Sequence, residues 1–270
     1  MYKLQNIEKE QYDEYVKNHK EKSHFLQSLS WGEFSKVKKK LTPYYLGLVD
    51  EDNKIHAATL LLKKSLPMNF CYFYAPRGFV IEENKDYKLL FDNIKACGFK
   101  HLGFTKNFET SQPRYTFRID LNQSLEEIES HFSKTTKQRI AKSLKLNTEV
   151  VIGTKKDIKE FYHLMTLTES RKDFISYNED YYQTLYEIFN GNKNSKATLF
   201  LGKINMTKTI NSLEKNLKTI NNQISIIPID NLSKSAKAKL NELTRQKENI
   251  LKDIEKYKGY KKEYGNEITL

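Results

Sequence analysis

The sequence predicts a mixed α/β fold of the α+β kind, in two units, the second incomplete and interrupted by a long antiparallel helical arm. Strand-like runs rich in β-branched and aromatic residues alternate with helical patterns as far as residue 203. Two heptad-patterned runs then follow within residues 206–258. With 270 residues, 38% of them hydrophobic, the chain is long enough to pack one large domain or two small ones.

The first unit is predicted at residues 1–146. A short amphipathic helix at 6–18 precedes a loop, and Ser30 with Glu33 forms the S-x-x-E pattern of a capping box, which predicts a second helix from Trp31. An acidic turn at 50–53 separates two strand-like runs, as in a hairpin. The predicted strands of this unit are 44–50, 55–63, 69–75, 101–105 and 115–121, and its later helices are 86–95, 125–131 and 135–144.

The second unit is predicted at residues 147–203 and 259–270. Its strands are expected at 149–152, at 197–203 and from 266, and its helices at 157–170 and 179–190. A sheet of one or two strands cannot bury an apolar face. We therefore expect the chain to be a fragment or a shortened member of a larger architecture.

The arm is predicted at residues 204–258, where apolar residues repeat at alternating spacings of three and four, the pattern of a coiled coil. Pro228 ends the first helix and lets the chain reverse. Such an arm either extends a binding surface toward a large partner or serves as a structural or dimerising hairpin. The two stripes are Ile210, Leu213, Leu217, Ile220 and Ile224, and Leu240, Leu243, Lys247, Ile250, Ile254 and Tyr257.

The charge balance favours anionic partners. A net charge of +12 and a pI near 9.3 suit nucleic acid, phosphorylated small molecules or an anionic membrane surface. Cys71 and Cys97 lack the paired spacing of a disulfide framework or a metal site, which fits a reducing cytoplasm. No apolar run has the length needed to cross a bilayer, so the chain is expected to be soluble or at most membrane-peripheral.

Several catalytic devices are missing from the sequence. The six histidines never stand at the i,i+4 spacing of a helical metal site, and neither a Gly-rich phosphate loop nor a nucleophile elbow occurs. The sequence therefore predicts no metal and no cofactor, and it identifies no catalytic residue.

The strongest binding candidates are basic. The densest cluster has no acidic residue between 133 and 147, and it would attract phosphates unless it is simply a solvated helix face. Further candidates are Lys36, which follows the single tryptophan in the chain, Arg77 and Arg114 after prolines, and Arg171, whose planar guanidinium can hold a diphosphate through two hydrogen bonds. A surface ion pair is the alternative for each arginine. The members of the cluster are Lys134, Lys137, Arg139, Lys142 and Lys145.

Five motifs occur in a characteristic order: FLQSLSWGEF at 25–34, YAPRGFV at 74–80, SQPRYTFRIDL at 111–121, KTTKQRIAKSLK at 134–145 and TESRKDF at 168–174. Together with the arm, they resemble the FemABX family of peptidoglycan bridge-forming aminoacyltransferases over nearly the whole chain. The resemblance implies two tandem acetyltransferase-like (GNAT-like) units. It also implies transfer of an amino acid from aminoacyl-tRNA to the stem-peptide amine of lipid II or a UDP-MurNAc-peptide, without a cofactor, at or near the inner membrane face.

The resemblance also implies roles for two residues. It places the precursor phosphates near Lys36 and Arg171. Two departures from the family pattern stand out: the stretch between Gly78 and Arg114 is short, and the chain ends where the second unit would resume. The alternative interpretation is therefore a module that binds tRNA or a partner through its basic surface and arm without chemistry.

Overall fold

A computed structural model describes residues 2–19, 22–81, 92, 119–172, 174–228 and 233–270. It confirms the mixed α+β class. The chain folds into two compact units, 1–116 with 175–198 and 117–174 with 199–270. The described strands are β1 (Lys3–Asn6), β2 (Thr42–Val49), β3 (Ile55–Ser65), β4 (Cys71–Tyr74), β5 (Val80–Ile81), β6 (Thr148–Gly153), β7 (Leu199–Asn205) and β8 (Glu267–Thr269). The described α-helices are α1 (Lys9–Asn18), α2 (Leu29–Lys39), α3 (Leu125–Ser130), α4 (Lys134–Lys145), α5 (Ile158–Lys172), α6 (Glu179–Asn190), α7 (Met206–Ser225) and α8 (Lys234–Tyr264).

The sheet of the first unit is antiparallel, with the strand order β1-β2-β3-β4 and with β5 also paired to β3. β3 is its central strand, and seven consecutive residues of β3 from His56 to Leu62 are buried. The predicted strands at 44–50, 55–63 and 69–75 are confirmed as β2, β3 and β4. β1 was not predicted from the sequence, because its four residues KLQN include no β-branched or aromatic residue.

The acidic turn between β2 and β3 forms the predicted hairpin. The Asp50 carboxylate accepts hydrogen bonds from the backbone N–H groups of Asp52 (3.1 Å) and Lys54 (2.9 Å). Asn53 has a left-handed φ of 61°, which asparagine tolerates better than most residues. The Asp50 side chain therefore accepts hydrogen bonds from backbone N–H groups of the turn, which have no partner strand there.

The start of α2 corrects the predicted capping box. The cap is Ser28, whose hydroxyl accepts from the Trp31 N–H at 3.1 Å, so the helix begins two residues earlier than expected. Ser30 lies inside the helix, where it is buried and hydrogen-bonded to Ser195. Ser28, two residues before the predicted cap, has the extended backbone of a helix N-cap.

The compact units divide the chain differently from the predicted boundaries. Residues 175–198, expected in the second unit, pack in the first. The ring of Phe34 on α2 meets Tyr181 on α6 edge to face at 4.8 Å, and the buried Phe189 of α6 joins the same core. Residues 117–146, expected in the first unit, belong to the second. Long-range apolar contacts of this kind leave no trace in local sequence patterns.

The second unit holds an antiparallel sheet of the order β6-β7-β8, with α5 following β6. The predicted helix at 179–190 and the basic helix near 135–144 are confirmed within one residue at each end, as α6 and α4. The Ser124 and Glu127 capping box is present at α3. The predicted helix at 86–95, the strand at 101–105 and most of the strand at 115–121 lie outside the described residues.

The arm consists of α7 and α8, which pack against each other. Lys258 of α8 pairs with Glu214 at 3.1 Å, and Lys261 donates to Thr207, so the helices run in opposite directions. Every residue of the two predicted stripes is buried or half-buried, and most of their neighbours are exposed. The heptad spacing thus predicts the packed faces of both helices correctly.

Candidate functional site

Helix α2 places the single tryptophan and a group of lysines in the first unit. Trp31 is buried and packs against Phe34 at a ring distance of 5.4 Å. The ammonium group of Lys39 lies 4.4 Å from the centre of the Trp31 ring, a cation–π contact. Burial lowers the pKa of Lys39 because desolvation disfavours its charged form. Lys39 therefore serves chiefly to cover the tryptophan.

Lys36 differs from the other lysines of this helix. Lys38 is paired with Asp180 of α6, and Lys39 is held over Trp31. Lys36 is exposed and forms no ion pair with any residue that the structure describes. Of the three, it is the cation left available to an anionic ligand.

Two buried polar atoms of α2 were not anticipated from the sequence. The indole N–H of Trp31 and the hydroxyl of Ser35 have no hydrogen-bond partner among the described residues. Such atoms are rare in folded proteins because an unmade buried hydrogen bond is costly. Sequence alone gives no signal for this pair of atoms.

Arg77 lies on a turn whose backbone is hydrogen-bonded to two buried side chains. Arg77 and Gly78 both have left-handed backbones, with φ of 63° and 75°. The Gly78 carbonyl accepts from Gln27 Nε2 at 3.1 Å and from Thr59 Oγ1 at 3.0 Å, and both of these side chains are buried. The Arg77 side chain itself is exposed. Arg114 lies outside the described residues.

Arg171 lies in the last turn of α5 in the second unit and lines a groove of about 420 Å³. The groove walls are mainly apolar, and Thr168 is the other polar side chain among them. The Thr168 hydroxyl is already bonded to the Leu164 carbonyl at 2.8 Å. The guanidinium is therefore the cationic group that this groove offers to a ligand. The apolar lining comprises Phe161, Leu164, Met165, Leu167, Phe200, Leu201 and Leu270.

A larger cavity of about 810 Å³ also lies in the second unit. Tyr257, Tyr260 and Tyr264 of α8 line it, with His163 and Glu160 of α5. Burial raises the pKa of Tyr257. The three tyrosines stand at i, i+3 and i+7, a spacing that places them on one face of the helix. This signal was missed in the sequence, where Tyr257 was assigned only to the stripe of the arm.

Helix α4 carries the predicted basic cluster. Lys134, Arg139, Lys142 and Lys145 are exposed and Lys137 is half-buried. None of the five forms an ion pair with the part of the chain that the structure describes. Successive angles of 100° spread the five over roughly half the circumference of the helix, so together they form one broad cationic face.

Within the described ranges, no group of three or more His, Cys, Asp and Glu side chains is arranged to hold a metal ion. No helix there combines the length and the apolar character that a bilayer crossing requires.

Comparisons with known proteins bear on these features. The curated proteins similar to this chain include a lipid II:glycine glycyltransferase of Staphylococcus haemolyticus, 28% identical over 93% of this chain and 67% of that protein. Another is the lipid II:glycine glycyltransferase of Staphylococcus aureus strain COL, 26% identical over 82% of this chain. The second match spans 59% of its relative, so this chain matches only part of each relative's length.

The same relationship is visible in three dimensions and in the family pattern. The crystal structure of FemX superposes with a TM-score of 0.67 over 99% of this chain and 75% of that one, at 19% identity, and so shares the fold. A family model described as the FemAB family matches residues 7–85 and 80–270. The resemblance in the ordered motifs is thereby confirmed: the chain belongs to the FemAB family.

Proposed function

We propose that the chain acts as an aminoacyltransferase that moves an amino acid from aminoacyl-tRNA to the stem-peptide amine of a peptidoglycan precursor. The observation that carries the proposal is the FemAB family match from residue 7 to residue 270, together with relatives named lipid II:glycine glycyltransferases. Lipid II is the proposed acceptor for the same reason. A UDP-linked peptide is the second acceptor to test.

The chemistry of this transfer suits a site without a protein nucleophile. The amine nitrogen attacks the ester carbonyl carbon of the aminoacyl-tRNA and forms the amide bond. The carbon–oxygen ester bond breaks, and the tRNA hydroxyl leaves with the proton that the amine loses. The demands on the protein are to position two reactants and to stabilise the developing oxyanion. Two GNAT-like units with an inserted arm are the proposed scaffold.

The basic residues divide between the two polyanionic reactants in this proposal. Lys36 of the first unit binds precursor phosphate as a point charge, and Arg171 of the second unit does so through its planar guanidinium. Arg77, on its hydrogen-bonded turn, and Arg114 assist in binding the same substrate. The face of α4 binds the tRNA backbone. The exposure of Lys36 and of the α4 cluster, and the apolar groove beside Arg171, support these roles.

The test is transfer of a radiolabelled amino acid from charged tRNA to lipid II in detergent and, in parallel, to a UDP-linked stem peptide. We expect label in the acceptor only when charged tRNA, acceptor and protein are all present. A longer FemAB relative serves as the positive control. Absence of transfer with a range of aminoacyl-tRNAs, where the relative works, would exclude the enzyme. Salt-sensitive tRNA binding without transfer would instead identify a binding module.

A further inference from the structure

The loop between β3 and β4 concentrates exposed apolar side chains. Met68 is 85% exposed, Phe70 63% and Leu66 42%, and they lie within five consecutive positions. Tyr72 and Phe73 continue the exposed surface into β4. Large apolar side chains exposed together commonly mark a surface that meets another apolar phase.

The backbone of this loop forms a closed turn. The Leu66 N–H donates to the Phe70 carbonyl at 2.8 Å, and the Phe70 N–H donates to the Pro67 carbonyl at 3.4 Å. Met68 and Asn69 have left-handed φ angles of 58° and 62°. Methionine seldom adopts this conformation, and here no burial of its side chain offsets the strain. The turn therefore holds three apolar side chains at the tip of a narrow hairpin.

Cations flank the tip without any acid nearby in the sequence. Lys63 and Lys64 lie just before Ser65, the last residue of β3, and across the ladder they face Phe73 and Tyr72. No aspartate or glutamate occurs from residue 53 to residue 81. Neither lysine forms an ion pair with a described residue. Lysines beside exposed aromatic side chains are typical of a membrane interface.

We propose that this apolar tip, defined as Lys63, Lys64, Leu66, Met68 and Phe70, docks on an anionic lipid bilayer surface. The side chains of 66, 68 and 70 enter the interfacial region, and the lysines contact anionic headgroups. A bilayer fits better than a protein partner because the exposed apolar residues of this turn lie close in sequence to lysines that form no ion pair with the described part of the chain. The inference rests on the proposed function, since a lipid-linked acceptor lies in a bilayer.

Vesicle co-sedimentation tests the docking. The full chain is mixed with phosphatidylcholine vesicles containing phosphatidylglycerol or with phosphatidylcholine alone. We expect preferential binding to the anionic vesicles. The double variant Met68→Asp/Phe70→Asp, called the tip variant below, should lower that binding about tenfold or more, because two apolar groups are lost from the interface. The matched control is Ile175→Asp, which replaces a side chain that is 93% exposed in the same unit.

Fluorescence locates the contact independently. In Met68→Trp, binding to anionic vesicles should shift the tryptophan emission to the blue and allow quenching by brominated lipid. In Ile175→Trp, neither change is expected. Equal vesicle binding by wild type and the tip variant, or an unshifted emission at position 68, would overturn the proposal. Loss of self-association in the tip variant, without vesicle binding by wild type, would identify a protein interface instead.

The outcome is separable from that of the proposed function. Transfer to a soluble UDP-linked acceptor should be the same in the tip variant as in wild type. Transfer to lipid II in vesicles should fall with vesicle binding. If wild type transfers to neither acceptor but binds vesicles through the tip, the proposed function fails and the docking stands. If it transfers to both and the tip variant matches it on vesicles, the docking alone fails.

Discussion

The Gly78 carbonyl oxygen holds the Arg77 turn through two buried donors, Gln27 and Thr59. We expect Thr59→Val, which keeps the shape but removes the hydroxyl, to lower the free energy of unfolding by about 1 kcal/mol. Gln27→Met should cost more, about 2 kcal/mol, since the Gln27 side-chain carbonyl also accepts from the His24 N–H at 2.8 Å. Urea denaturation measures both values.

A double variant completes this test. Because Gln27 and Thr59 share one acceptor, their effects should not add, and the coupling between them should be about 0.5 kcal/mol or more. Strict additivity would show that the two donors do not act on the same turn. Thr42→Val, at the first residue of β2, is a control of the same chemical change.

Asp50 offers a pH test of the β2–β3 hairpin. A hydrogen bond from His56 at 2.6 Å, followed by one from the Lys54 N–H, lowers the pKa of Asp50 below its ordinary value of 3.8. A lowered carboxyl pKa adds stability above the unfolded-state pKa, and that stability is lost as the pH falls through the folded-state pKa. Asp50→Asn should therefore lower the Tm at pH 7.

The Tm deficit of Asp50→Asn should shrink as the pH falls below 3.8, because Asp50 is protonated first in the unfolded chain and then, at lower pH, in the folded one. Asp52→Asn is the control, because it removes the same formal charge two residues away and leaves the backbone donor to Asp50 intact. A Tm difference between wild type and Asp50→Asn that stays constant from pH 7 to pH 3 would contradict the assignment. Thermal melts followed by circular dichroism supply the data.

Lys36 and Arg171 are expected to bind substrate without taking part in the transfer step. Lys36→Ala and Arg171→Ala should each raise KM for the precursor about tenfold or more, with kcat little changed, because a charge-assisted bond to a diphosphate persists from ground state to transition state. Arg171→Lys should recover only part of the loss, since it lacks the fork. Lys172→Ala, the exposed neighbour, is the control. A fall in kcat at constant KM would contradict the binding role.

At the scale of elements, the sequence predicted most where local signals were strong. Helix α6 has the predicted bounds 179–190, and its start carries strong local signals in the Asn178 cap and the two acids that follow it. β1 was missed because its four residues lack strand propensity, and it forms only by pairing with β2. The predicted cap at Ser30 was wrong because the S-x-x-E pattern is purely local, whereas Ser30 is buried inside α2 and bonded to Ser195, far away in the chain.

The helical arm allows a matched pair of leucine substitutions within α8. Leu243 is 7% exposed and lies in the predicted stripe, whereas Leu251 is 43% exposed. We expect Leu243→Ala to destabilise the chain by about 2–4 kcal/mol, through lost burial and a residual cavity. Leu251→Ala should cost about 0.5 kcal/mol or less. Circular dichroism at 222 nm during urea unfolding measures both, and equal losses would contradict the packing of the stripe.

At the scale of the whole molecule, less could be predicted. The basic cluster of α4 could be recognised from the sequence, because a run without acids needs no tertiary information, and four of its five members are exposed. The assignment of α6 to the first unit depends on contacts such as Phe34 with Tyr181, more than 140 positions apart in the chain. The apolar groove at Arg171 is likewise assembled from α5, β7 and Leu270. Local periodicity carries no information on such arrangements.

The net charge of +12 leads to a last expectation, on tRNA binding. If the α4 face contacts the tRNA backbone, each phosphate contact contributes about 0.9 to the slope of log K against log salt, through counterion release. Replacing Arg139 and Lys142 by alanine should then lower that slope by about two. The control replaces the exposed Lys9 and Lys17 of α1 by alanine, which changes the net charge equally. Filter binding over a range of salt concentrations measures each slope, and equal losses in the two variants would mean that tRNA responds to overall charge and not to α4.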